Sequence, residues 1–123
     1  IVLGDVSVEL SALSGGQRQV VAIARAIYFG ARYIILDEPT AALGVKQSGM
    51  VLRFIDAARE RGMGVVFITH NPQHAYLVGD HFVVLTVGEM SLNAPKEEVT
   101  LPELTQWMAG GDELEELKQQ LAR

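Results

Sequence analysis

The sequence predicts an α/β fold, a parallel sheet flanked by helices with a short antiparallel edge hairpin. Three observations predict it. Stretches of helical periodicity alternate with short apolar runs along most of the chain, the order that builds crossover-connected parallel strands. The runs Tyr33-Ile34-Ile35-Leu36 and Gly64 to Thr69 are continuously apolar rather than alternating, the pattern of strands covered on both faces. Each run also stops at polar residues, Asp37-Glu38 in one case and His70 in the other. In open α/β sheets that carboxyl edge is where ligands sit.

Taken in order, residues Ile1 to Leu13 alternate loosely and end at Ser14-Gly15-Gly16-Gln17, where a helix takes over. Val20, Ile23, Ala24, Ile27 and Tyr28 form its apolar stripe, Ser14 and Gln17 have capping-box spacing, and Gly30 marks its end. The first strand follows at Tyr33. A second helix is predicted over Lys46 to Arg61, with Val51, Phe54, Ile55 and Ala58 inward and Gly62 just past its end. After the second strand, Asn71-Pro72 supplies an N-cap and a first-turn proline for a short helix through about Val78. The third strand is His81 to Val87, which Gly88-Glu89 turns back into Met90 to Asn93. Two C-terminal helices complete the pattern, Pro102 to Met108 after Thr100 and Glu113 to Leu121 after Asp112, the latter with Leu114, Leu117 and Leu121 on one side.

Composition narrows the chemistry. With 123 residues and 49% hydrophobic content the chain is long and apolar enough to bury a core. Cysteine is absent, which excludes a disulfide scaffold, a thiolate nucleophile and a cysteine-ligated zinc site. A net charge of −5 argues against a nucleic-acid binder held by phosphate neutralisation. No apolar stretch reaches the length of a bilayer span and no secretory leader is apparent, so the chain is expected to be soluble.

Two consecutive carboxylates at the end of a buried strand are costly unless a cation or a reaction uses them. Asp37 suits Mg²⁺, a hard ion that takes carboxylate oxygen and keeps several waters. Glu38, on the other side of an alternating strand, is placed to orient or deprotonate a water attacking a phosphoryl group. As plain structure, the same residues make a polar strand exit. Ser14-Gly15-Gly16 at a helix start offers backbone N–H groups and a hydroxyl to an anion, or simply a cap. His70 can bond a terminal phosphate or polarise the attacking water, or serve as a satisfied structural imidazole. The His70/His74 spacing is that of a zinc pair, but the glutamate of a zincin is missing and Asn71-Pro72 puts His70 ahead of the helix. His81 reads as structural and Trp107 as packing.

Together and in this order, Leu13-Ser14-Gly15-Gly16-Gln17, Tyr33-Ile34-Ile35-Leu36-Asp37-Glu38-Pro39-Thr40 and Ile68-Thr69-His70 resemble the ATP-binding-cassette (ABC) family of ATPases, as its signature motif, Walker B motif and switch histidine. The resemblance runs by motif from Leu10 to about Gly88. Thr40 to Gln47 looks like the matching loop of the monosaccharide (ribose, xylose, fructose) importer branch, except that Gly44 stands where the D-loop usually has aspartate. The resemblance implies the C-terminal half of a P-loop NTPase nucleotide-binding domain. Residues 1–30 would end the helical subdomain, 31–93 form half of the ATPase core and 94–123 carry C-terminal helices.

It also implies an ATPase that powers monosaccharide import, with ATP and Mg²⁺ as cofactors. Ser14, Gly15, Gly16 and Gln17 would contact the ATP of an opposite ATPase subunit. Asp37 would hold the metal, and Glu38 and His70 would be catalytic on their own subunit's ATP. The implied partners are that second ATPase subunit, transmembrane permease subunits and, indirectly, a periplasmic or extracellular sugar-binding protein, with no nucleic acid. The implied location is the cytoplasmic face of the cell membrane.

No G-x-x-x-x-G-K-[ST] loop occurs, and twelve residues before Leu13 are too few to hold one with its strand. The expectation is therefore half of a cassette that alone binds ATP weakly, does not hydrolyse it, and exposes a sheet edge and apolar surface. Two alternatives stand beside it. One is a truncated, non-catalytic module giving its signature motif in trans to a complete partner; the other is half of a non-transport ABC ATPase, such as one of chromosome maintenance.

Overall fold

A computed structural model describes residues 15–110 and 117–122. The chain divides at Thr69/His70 into two compact units. The first contains α1 (Gly15–Tyr28), β1 (Tyr33–Asp37), α2 (Val45–Glu60) and β2 (Gly64–Ile68). The second contains α3 (Pro72–Val78), β3 (His81–Thr86), β4 (Glu89–Pro95) and α4 (Leu101–Met108).

In the first unit β1 and β2 pair in parallel, in register from Tyr33 opposite Gly64 to Asp37 opposite Ile68. Helices α1 and α2 pack on each other, burying Gly16, Val20 and Ile23 of the first and Val51, Leu52, Ile55 and Ala58 of the second. The predicted α1 stripe is corrected here, because Ala24 and Tyr28 are exposed. Gly16, outside the predicted stripe, is buried in the contact as well and has no side chain to hold α2 away. Both helices end in the same left-handed turn. Gly30 has φ +72° and Gly62 φ +85°, and the bonds Ala31 N–H to Ala26 O (3.0 Å) and Met63 N–H to Ala58 O (3.1 Å) close the last turns.

The expectation that both strands are covered on both faces is also corrected. Leu36 is buried, but Tyr33, Ile35, Val66 and Ile68 are exposed. Alternate side chains point to opposite faces, and α2 packs against the sheet on one of them.

In the second unit the Asn71 side chain accepts the His74 N–H at 3.0 Å and caps α3, with Pro72 in the first turn as predicted. Thr100 and Glu103 close a capping box on α4. Phe82, Val84, Ala94, Val99 and Leu104 form the core, with the Tyr76 ring stacked on Phe82 and its hydroxyl donating to Val99 O at 2.9 Å. Among the described residues β3 pairs with β4 in the antiparallel hairpin that the sequence predicts. Its turn is Val87-Gly88, both at positive φ, one residue earlier than predicted, and β4 runs on to Pro95. A two-residue turn closes this pairing at little entropic cost, which is why the hairpin forms locally.

The proposed Ser14 cap and residues 113–116 of the predicted 113–121 helix lie outside the described residues. Residues 117–121 are helical, with Leu117 and Leu121 exposed. Among the described residues no helix is long and apolar enough to cross a membrane.

Candidate functional site

The carboxyl edge of the β1–β2 sheet holds the two candidate carboxylates. Asp37 is the last residue of β1, fixed by its pairing with Ile68, and its side chain is exposed. The expected desolvation of this carboxylate is thus not seen: the strand end opens outward. Glu38 is half-buried and its N–H donates to Ile68 O at 2.8 Å, which ties it to the end of β2. Its backbone is left-handed, with φ +51°. The strand therefore ends at Asp37, and Glu38 takes its direction from that reversal rather than from strand alternation as expected. A non-glycine residue in this region is unfavourable and recurs where a site fixes its geometry.

The chain after Glu38 turns sharply. Ala41 N–H donates to Glu38 O and Leu43 N–H to Thr40 O, both at 3.2 Å, and Ala42 is also left-handed at φ +61°. Thr40 is buried, and the buried Ser48 hydroxyl donates to Leu43 O at 3.5 Å. This loop meets the start of α1. A Cβ at Gly15 would lie 3.0 Å from Leu43 Cδ2, and one at Gly16 would lie 3.0 Å from Gln47 Cβ. Gly15 and Gly16 are thus packed against the segment that follows the carboxylates, with Gln17 half-buried beside them. Ser14 lies outside the described residues. The glycines have a steric reason to be glycine that the anion-site reading did not include, and nothing in the local residue pattern signals it.

Gly44 is the N-cap of α2, with φ −70° and ψ 171° and no side-chain cap. A Cβ there would meet nothing within 4 Å, so the backbone does not require glycine at this position. His70 is exposed, opens the second unit and precedes the Asn71 cap, as the sequence predicts. Among the described residues no cluster of three or more His, Cys, Asp or Glu side chains forms a metal cage. His81 bonds Asn93 across the hairpin, a structural role, whereas Trp107 is substantially exposed rather than packed in the core.

Comparison with known proteins follows the same motifs. Residues 4–41 match the ABC transporter family. The chain is 44% identical over 104 residues to a xylose/arabinose import ATP-binding protein of Sulfolobus acidocaldarius, covering 85% of this chain and 41% of that protein. It is 40% identical over 109 residues to a fructose import ATP-binding protein of Rhizobium meliloti, covering 89% of this chain and 42% of the relative. The fold superimposes with a TM-score of 0.70 and 34% identity on a metal-chelate type ABC transporter in an inward-facing conformation, over 81% of this chain and 40% of that one. The chain belongs to the ABC transporter ATPase family. It spans about two-fifths of the length of these relatives. The α/β architecture expected for an ABC ATPase is the one observed, and the carboxyl edge of its parallel sheet carries the Asp37-Glu38 pair.

Proposed function

We propose that this chain is part of an ATP-hydrolysing subunit that powers import of a monosaccharide through an ABC transporter. The observation that carries the proposal is the fixed Asp37-Glu38 pair at the sheet edge in a chain whose relatives are named as sugar-import ATP-binding proteins. Asp37 fits magnesium: it offers one exposed hard oxygen donor, and Mg²⁺ binds through one or two carboxylates plus water and phosphate rather than an all-protein cage. Bound there, the metal would neutralise phosphate charge.

Glu38, held by its hydrogen bond to Ile68 O, would accept a proton from, or orient, the attacking water. His70 would hydrogen-bond the terminal phosphate. The segment Ser14 to Gln17 would meet the ATP of an opposite subunit, so that two chains share each nucleotide. The nucleotide's phosphate cradle lies outside this sequence, which contains no G-x-x-x-x-G-K-[ST]. The partners on this reading are a second ATPase subunit, membrane-spanning permease subunits and an external sugar-binding protein. The chain would work at the inner face of the cell membrane.

Uptake of labelled xylose, arabinose, fructose and ribose by source cells provides the test, with Ser14→Arg introduced into the native gene product that carries this sequence. Loss of uptake of one of these sugars is the expected result. Unchanged uptake of all of them, with a different solute affected, would overturn the monosaccharide assignment.

A further inference from the structure

The opposite, amino-terminal edge of the β1–β2 sheet carries a second feature that the ATPase reading does not use. An open groove of about 890 Å³ lies between the ends of α1 and α2 and the starts of the two strands. Arg32, Arg59 and Arg61 line it, from the loop before β1, the last turn of α2 and the α2 C-cap. We propose that this groove docks an acidic peptide segment of a partner protein.

Four observations support the assignment. The guanidiniums of Arg32 and Arg61 are exposed and make no ion pair among the described residues, whereas Arg59 bonds Asp56 at 2.7 Å. Asp56 and the exposed Glu60 are the nearby carboxylates along α2, and neither lines the groove. The helix ends do not need these cations, because the turns at Gly30 and Gly62 already bond the terminal carbonyls of Ala26, Ile27, Ala58 and Arg59. The local positive charge also runs against a chain of net charge −5.

The groove's surroundings favour a peptide over a small anion. Tyr33, an exposed residue whose ring lies beside Gly64, lines it, and the exposed Tyr28 and Phe29 adjoin its α1 wall. Arginine with exposed aromatic rings is the composition of protein-recognition anchors. A guanidinium fork pairs with carboxylate in two parallel hydrogen bonds, while the rings accept the peptide's apolar side chains. No buried polar side chain lines the groove to grip an inorganic phosphate.

Fluorescence anisotropy tests this on the full chain, with a fluorescein-labelled peptide of repeating Glu-Leu-Asp-Phe as the probe. The wild type should bind it, more weakly at high salt as solvent-exposed charge pairs are screened. The double change Arg32→Glu with Arg61→Glu should weaken binding by about tenfold or more, and Arg53→Glu, exposed elsewhere on α2, should leave it unchanged. Circular-dichroism melts of each variant separate lost binding from lost folding. If the double variant unfolds, Arg32→Ala alone is the comparison. No binding by the wild type, equal binding by the double or single groove variant, or full displacement by equimolar pyrophosphate would each overturn the proposal, the last by showing a small-anion site instead.

Discussion

Replacing Gly16 by alanine sets helix propensity against crowding between α1 and α2. The new Cβ would lie 3.0 Å from Gln47 Cβ and 3.2 Å from Met50 Cε. The methionine methyl can swing aside, but Gln47 Cβ moves only if the α2 backbone moves. Overpacking of this kind costs about 1–3 kcal/mol. Alanine returns about 0.5–1 kcal/mol in a helix interior, and less in the first turn where Gly16 sits. The net expectation is a loss of about 1 kcal/mol. Gly49, in the middle of α2, is the internal control, since a Cβ there meets nothing within 4 Å. Gly49→Ala should stabilise by about 0.5–1 kcal/mol. Urea unfolding of both variants, with unchanged m-values, measures the two signs. A Gly16→Ala protein as stable as the wild type or more so would refute the claim that close helix approach requires this glycine.

Ala42 is exposed and left-handed, so Ala42→Gly should raise the unfolding midpoint, by up to about 1 kcal/mol in stability; a lower midpoint would show that the loop is not strained there. Asn71→Ala removes the α3 cap and should cost about 1 kcal/mol in the same assay, with Asn71→Asp close to wild type. Leu104, 1% exposed in the second core, should cost about 2–5 kcal/mol when cut to alanine. A loss well under that range would mean the site collapses around the missing side chain.

Where a local signal has a local cause, sequence and structure agree closely. Helix α2 runs from Val45 to Glu60 against a predicted Lys46 to Arg61, because its apolar stripe and Gly62 both act within a turn of where they stand. Asn71-Pro72 starts α3 for the same reason. The misses are of another kind. The apolar runs of β1 and β2 report that a strand suits burial, not which element covers each face, and Tyr33, Ile35, Val66 and Ile68 show the difference. At the site, the order of Asp37 and Glu38 after an apolar run was legible. The left-handed backbone of Glu38 was not, since glutamate has no preference for that region and only the bond to Ile68 O reveals the constraint.

The central claim is that Glu38 serves the reacting water of an ABC ATPase. Steady-state ATP turnover by the native assembly carrying this sequence, wild type against Glu38→Gln, tests it most directly, with nucleotide binding measured alongside. The account predicts that turnover falls by about a hundredfold or more while MgATP binding is retained. Turnover within about twofold of the wild type would contradict it and move the general base elsewhere.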